Sequence, residues 1–427
     1  MSIRNLALWS VRTLVLLAPA SLANAGVHIV DVNGQGDFTT IQDAVNASID
    51  DDVILVRDGH YTAFTIDNKA LAVYADADAI VAVTGAVKIM NLAAAKTLVV
   101  SGLTVTEPTT LPATVALTAT NNAGALRFQQ CTFKGGKGSS TLGFNNHYPN
   151  GGDGVDLTND PDVSFVGCTL QGGNPFMEMH DCYECTGGNG GDGVHSQTSA
   201  VALYDSLCIG GTGGETGGWG GAGGAGYRAL DGGGFASRST FKGGAGGQAD
   251  DYLRAYGGAG GDALHVEPSA GFHLLSDTYV PGAGGLAYEF PEDNGPAGQA
   301  IGGGGLADTL PGTARVFFSA TKLANDGGSI SVTVFGQDGD KVYLPQSLRT
   351  NFQYKAAFSG VWLLPHPLYF SLDPMAIVPS SGSVTFDVSL LHLPSNADAA
   401  VAFAQGYVVD AQGTHILGSP IDVLLTH

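Results

Sequence analysis

The chain has 427 residues, of which 64 are Gly and only 13% are charged. Globular averages are roughly 7% Gly and roughly 25% charged residues. Disorder is excluded, because 44% of the chain is hydrophobic. Collagen is excluded by the lack of a strict three-residue Gly period through the chain, and a long helical protein by the cost of about 1 kcal/mol per interior Gly. A β-rich or repeat protein with many tight turns remains. The formal net charge of -21 argues against nucleic acid and anionic lipid as partners. Residues 138–227 contain no Lys or Arg and ten Asp or Glu.

Residues 1–25 read as a signal peptide. Arg4 and Arg12 supply the positive start, residues 13–23 the apolar run, and Ala23-Asn24-Ala25 a small-x-small cleavage site. No later stretch has 18 uninterrupted apolar residues. The expectation is a secreted or cell-surface protein without a transmembrane segment after cleavage.

Residues 27–32 read as a strand and 33–36 as a turn. Residues 39–48 read as a short helix, with Thr39 as N-cap, Gln42 closing a capping box, and Ile41, Ala44 and Val45 as the apolar face. Residues 53–56 form a buried strand, 57–61 a turn and 64–66 the next strand. A helix here would cover the open end of a solenoid and blunt its edge.

From about residue 123 to 305 a two-part unit recurs. One part is Gly-Gly, usually Asp, then a small, an apolar and a polar residue, as in Gly151-Gly152-Asp153-Gly154-Val155-Asp156 and Gly190-Gly191-Asp192-Gly193-Val194-His195. The other is a short alternating strand with a small residue near its end. That small position falls at Cys131, Cys168, Ser206, Ser239 and Asp277, in steps of 37, 38, 33 and 38. Such a unit cannot bury its apolar face alone, but stacked copies can. The Gly tracts 210–226, 243–247, 257–261 and 302–305 are expected to leave the coils as loops.

The motif Gly34, then Gly36 to Val45 (Gly-Asp-Phe-Thr-Thr-Ile-Gln-x-Ala-Val), followed by Val53 to Val56, Gly59 and Tyr61, resembles the N-terminal cap of right-handed parallel β-helix proteins. Those form the pectin-lyase-like superfamily, and the cap looks most like that of pectin methylesterases. The resemblance covers about forty residues, and beyond them the solenoid pattern carries it. It implies an all-β fold, a right-handed parallel β-helix with a capping helix, and carbohydrate-active chemistry in some relatives. The methylesterase segments Gln-Asp-Thr-Leu, Asp-Phe-Ile-Phe-Gly and Leu-Gly-Arg-Pro-Trp are missing here, as are the polygalacturonase segments Asn-Thr-Asp, Gly-His-Gly and Arg-Ile-Lys. The chain also looks like secreted bacterial proteins that join this cap to GGDG-bearing coils and a C-terminal β module.

Two columns of residues are candidates for chemistry. Asp156, His195, Arg228 and His265 follow inward apolar residues and should point outward, as a ligand groove or as an ordinary solvated face. Asp153, Asp192, Ala225 and Asp262 form the second. Residues 187–195 and 257–265 each fit a calcium nonapeptide, but lie 70 residues apart rather than in tandem. Carboxylates bonding turn amides are the favoured reading, with calcium as the alternative and no other cofactor expected. Of five cysteines, Cys131 and Cys168 share a column with Cys208 nearby, and Cys182 and Cys185 form CxxC, read as a loop disulfide or plain thiols. An odd count leaves at least one without an intrachain partner.

Residues 313–427 lose the Gly and gain alternating strands, read as an antiparallel β-sandwich beyond the solenoid of residues 26–305. The functional expectation is a non-catalytic structural or carbohydrate-contacting protein, with extracellular neutral polysaccharide or cell-surface components as partners. The alternative is a polysaccharide lyase, esterase or hydrolase with an unrecognised site.

Overall fold

The computed structural model describes residues 25–107, 113–139, 147–176, 185–250, 255–288, 291–365, 368–393 and 397–427. The signal-peptide reading and Cys182 fall outside these residues. The described residues are all-β apart from one short helix and two 3-10 turns. Twenty-two strands form one parallel sheet wound into coils.

The coils have three faces. One stacks Val53–Val56, Ala72–Ala75, Thr97–Ser101, Ala125–Gln129, Val163–Val166 and Ser199–Tyr204. A second stacks Leu103–Thr106, Thr132–Lys134, Thr169–Gln171, Leu207–Ile209 and Thr278–Val280, with Thr240–Lys242 between the last two. The third stacks Leu117–Thr120, Val155–Thr158, Val194–Gln197 and the starts of Tyr227–Ser237 and Leu264–Leu275. Equivalent residues sit in columns about 4.8 Å apart. Inside, aromatic rungs stack across coils, as Phe128 on Phe165 with ring centres 4.8 Å apart.

The small position of the repeat faces inward and has a specific task. Cys131 N–H donates to Cys168 Sγ, Cys168 N–H to Ser206 Oγ, Ser206 N–H to Ser239 Oγ and Ser239 N–H to Asp277 Oδ1. Each side chain satisfies the corner amide of the coil before it, which would otherwise be buried without a partner. Cys131, Cys168 and Cys208 are buried free thiols, whereas Cys185 is in a disulfide.

The cap is a helix over Ile41–Ala47, with Ile41, Ala44 and Val45 buried on the solenoid end. Its N-cap is Thr40 rather than Thr39, because Thr40 Oγ1 accepts the Asp43 N–H. Gln42 does not close a capping box. It clamps the next coil, accepting from Thr65 N–H and donating to Thr65 carbonyl.

The glycine tracts do not hang outside as loops. In five successive coils the chain runs out from the second face and returns to the third in two legs. Each leg repeats every three residues, as polyproline-II-type chains do. One Gly of each triplet bonds sideways to the next coil, as Gly190 N–H to Ala222 carbonyl and Gly223 N–H to Ala259 carbonyl. The next Gly bonds across to the opposite layer. These cross bonds zigzag as Gly152 to Gly136, Gly173 to Gly152, Gly191 to Gly173, Gly211 to Gly191, Gly224 to Gly211 and Gly244 to Gly224. A second zigzag links Gly214, Gly221, Gly247, Gly258 and Gly285. The third residue of each triplet faces outward. The two layers touch backbone to backbone, since a Cβ on Gly246 would lie 1.9 Å from the Gly258 carbonyl oxygen of the other layer, and one on Gly247 would lie 1.9 Å from the Gly214 carbonyl oxygen in the adjacent coil. Residues 302–305 differ, forming a strand end and a tight turn with Gly303 and Gly304 at positive φ.

The C-terminal module has a three-stranded sheet (Val316–Phe318, Ser329–Phe335, Ser383–Ser389) and a six-stranded one built around Ala399–Val409 and His415–Thr426. It packs along the outside of the first solenoid face rather than following the coils as an appendage. Ala202, Tyr204, Phe235 and Leu275 of the solenoid share one apolar core with both sheets. That explains why Ala72–Ala75 and Ala125–Gln129 are buried on both sides instead of alternating. Buried Arg127 donates to Thr350 Oγ1 and Asn351 carbonyl, and Tyr204 Oη to Val361 carbonyl.

Gly247→Ala is expected to destabilise the protein by about 1–3 kcal/mol or more, since the methyl meets rigid backbone. Ala259→Ser, on the outward position, should change stability by no more than about 0.5 kcal/mol. Denaturant melts of the two variants test this.

Candidate functional site

The third solenoid face and the returning glycine legs form one continuous outer surface. On the sheet, register aligns Asp156, His195, Arg228 and His265 in a single column, preceded by Thr118. Their neighbours Val155, Val194, Tyr227 and Leu264 are fully buried, so the column points outward as its alternation predicts.

The outward residues of the legs add three more columns. Next to the sheet stand Asp153, Asp192, Ala225, Asp262 and Gln299, of which Ala225 and Asp192 are buried. Further out come Asn150, Asn189, Ala222, Ala259 and Pro296. Outermost are His147, Thr186, Trp219, Tyr256 and Asp293. Three residues of polyproline-II-type chain advance about 9 Å, so columns lie about 9 Å apart and rows about 4.8 Å apart. The surface is therefore a flat grid on a rigid backbone slab.

The charges of the sheet column are paired with carboxylates beside them. His195 Nδ1 lies 3.4 Å from Asp156 Oδ1. Arg228 Nε lies 2.7 Å from Asp192 Oδ2. His265 is held by both ring nitrogens, Nδ1 at 2.6 Å from Asp262 and Nε2 at 3.1 Å from Glu267. The Asp156 carboxylate holds the His195 pKa above its ordinary value. Burial, and then the negative charge of Asp192, push Asp153 up to about 6.

The carboxylates of the Asp column also bond backbone, but not in their own turns as a local Asx turn would. Asp153 Oδ1 accepts from Asp192 N–H, Asp192 Oδ1 from Ala225 N–H and Asp262 Oδ1 from Gln299 N–H, each in the following coil. Asn150 and Asn189 act alike, accepting from Asn189 and Ala222 amides. Amides that lack a carbonyl partner are thus satisfied by side chains of the previous coil. The other oxygens of Asp192 and Asp262 contact Arg228 Nε and His265 Nδ1. Among the described residues no group of three or more His, Cys, Asp or Glu could hold a metal ion.

Sequence reading missed the aromatic part of the surface. Trp219 is 41% exposed and lies parallel to Tyr256, with ring centres 6.4 Å apart. Beside this column a recess of about 500 Å³ is lined by His147, Tyr148, Pro149, Asn150, Thr186, Gly187 and Asn189. The available signal was the Gly-Gly-x triplet, which places Trp219 in phase with Ala222 and Ala225.

No protein-family model and no curated protein matches the chain. Among solved structures, pectate lyase Pel9A aligns with 60% of this chain and 75% of its own, at 13% identity and a TM-score of 0.25. The receptor-binding tailspike of bacteriophage Det7 aligns with 95% of this chain and 98% of its own, at 10% identity and a TM-score of 0.15. The enzymatically active domain of bacteriophage CBA120 tailspike protein 4 aligns with 87% and 64%, at 11% identity and a TM-score of 0.14. The parallel β-helix is read from the strand register itself.

Two outcomes are expected. The raised Asp153 pKa means the folded state binds its proton more tightly than the unfolded state, so stability falls as pH rises from about 4 to about 6. Asp153→Asn should therefore stabilise the protein at pH 7.5 by on the order of 1–2 kcal/mol and little at pH 4, read from melts at both pH values. A melting temperature that stays unchanged on adding calcium or chelator is the second; a calcium-dependent rise would restore the metal reading.

Proposed function

We propose that this is an exported, non-catalytic protein that contacts carbohydrate through the flat outer grid. The observation that carries this is the make-up of that surface: rings, amides and mutually neutralised ion pairs on a rigid slab. Amides and paired charges offer hydrogen bonds to sugar hydroxyls, and exposed rings offer apolar faces to sugar C–H groups. Extracellular neutral polysaccharide fits best, because a chain of net charge -21 repels polyanions. Asp156, His195, Arg228 and His265 are the proposed contact residues on the sheet. Export rests on the leader-like residues 1–25. Among the described residues no helix is long and apolar enough to cross a membrane.

Two charged groups of the column, His265 and Arg228, argue for binding over catalysis. A general base needs a free lone pair near its target. His265 has both nitrogens on carboxylates, and Arg228 is committed to Asp192. One observation favours the alternative of a lyase, esterase or hydrolase: Asp153, raised to about 6, could hold a proton for a leaving group.

A glycan array, run with the wild type and with the double variant His195→Ala, His265→Ala, tests the proposal. The expected result is binding to a neutral polysaccharide that weakens at least about tenfold in the variant. Unchanged binding would remove the sheet column from the site. Reducing-sugar or unsaturated-product release that disappears in Asp153→Asn would replace the binding reading with the enzymatic one.

A further inference from the structure

A second recess lies on the C-terminal module, away from the grid. It has a volume of about 470 Å³, and Phe358, Trp362, Tyr407 and Phe370 supply its rings. Asn351, Gln353 and Lys355 supply its polar groups. Among the described residues no carboxylate lines it.

The recess is built by a hairpin whose two faces have different tasks. Strands Gln353–Lys355 and Gly360–Trp362 pair with Gln353 opposite Trp362, Tyr354 opposite Val361 and Lys355 opposite Gly360. Alternation puts Gln353, Lys355 and Trp362 on one face and Tyr354 and Val361 on the other. The second face is fixed to the solenoid. Tyr354 stacks on His273 at 4.0 Å between ring centres and 4° between planes. The Val361 carbonyl accepts from Tyr204 Oη and Gln405 Nε2, and Gln405 Oε1 accepts from Leu363 N–H. The first face is thereby held open with its indole and polar groups already placed.

The rings are braced from behind as well. Tyr407 stacks on Tyr343 at 4.8 Å and on His415 at 5.9 Å, while Phe358 stands edge-on to Tyr407 at 5.7 Å. Ring walls set before a ligand arrives lower the cost of binding it.

We infer that this recess is a second saccharide site, able to take about two pyranose rings of a chain or chain end, since binding clefts of roughly 300–1,000 Å³ enclose most of a small ligand. A pyranose has an apolar C–H face and a hydroxyl rim. Trp362, Phe358 and Tyr407 match the first, and Gln353, Asn351 and Lys355 the second. Half-buried Asn351 and Lys355 and exposed Gln353 offer hydrogen bonds that a purely apolar ligand could not use. Lys355 makes no ion pair among the described residues, so an acidic substituent would gain from it where a neutral one gains only a hydrogen bond. The site shares no residue with the outer grid and stands whether or not the grid binds glycan.

The test uses Trp362 as its own reporter. The chain has three Trp, so Trp9→Phe with Trp219→Phe leaves one indole. Cellotriose, chitotriose and trigalacturonate are titrated to about 10 mM, a range in which millimolar affinity registers. The expected result is a saturable change in Trp362 emission with at least one trimer. Gln353→Ala should weaken it at least about fivefold, and Lys355→Ala should do so chiefly for the acidic trimer. The His195→Ala, His265→Ala pair should leave it unchanged. No saturable change with any trimer overturns the inference, as does a change that persists in full in both rim variants.

Discussion

Backbone contact between two glycine layers is the constraint on which the exposed half of the molecule depends. A leg that bonds sideways with one residue and across with the next has no room for a Cβ at either. Carbonyl oxygens lie about 2 Å from where those carbons would be, in the opposite layer at Gly213 and in the adjacent coil of the same layer at Gly224 and Gly244. Collagen uses glycine for a related reason at its crowded axis. Here the gain is a slab with most amides satisfied and almost no side chains inside. The outward residue of each triplet is the one position free to vary, and Trp219, Asn189 and Asp192 stand there.

The solenoid supports this slab through columns. Each leg starts from a sheet strand, so the coil spacing of the sheet is the spacing of the legs. Amides at corners and leg ends have no carbonyl opposite them. They are taken up by Ser206, Ser239 and Asp277 inside and by Asp153, Asp192 and Asp262 outside. Acids in these places are held partly against their charge: burial pushes Asp277 up to about 7. The Asp column is thus first a structural device, and the surface chemistry of His195, Arg228 and His265 is arranged around it.

The C-terminal module changes the role of the first solenoid face. Arg127, Gln129 and Tyr204 project from strands that a free solenoid would expose to water. They are covered by the module and hydrogen-bonded to it. Burial pushes Asp422 in the same interface up to about 7, with Arg127 opposing the shift. The module and the coils share an apolar core, so the hairpin that carries Trp362 is fixed by solenoid residues as much as by its own sheet.

Excess glycine with little charge, met first as a composition, is the signature of the two-layer slab. The cap, the coil repeat and the outward column were legible because each follows from local rules: a capping residue, a period of two, a recurring step. Strands Ser329–Phe335 and Ser383–Ser389 were legible for the same reason. The cap shifted by one residue, from Thr39 to Thr40, because both threonines fit the local rule and only the helix geometry separates them. The short strands Gln353–Lys355 and Gly360–Trp362 carry no alternation long enough to read. The glycine tracts read as loops because a three-residue period without apolar residues matches the period of neither a helix nor a strand. Its sideways hydrogen bonds run to coils 32 to 38 residues away, as Gly190 to Ala222 and Gly151 to Asn189. What the amino-acid order decided alone was therefore a capped, stacked β-solenoid with outward-facing polar residues. The slab, the covered first face and the recess at Trp362 were decided by tertiary structure, because each exists only where segments distant in the chain come within hydrogen-bonding or van der Waals reach.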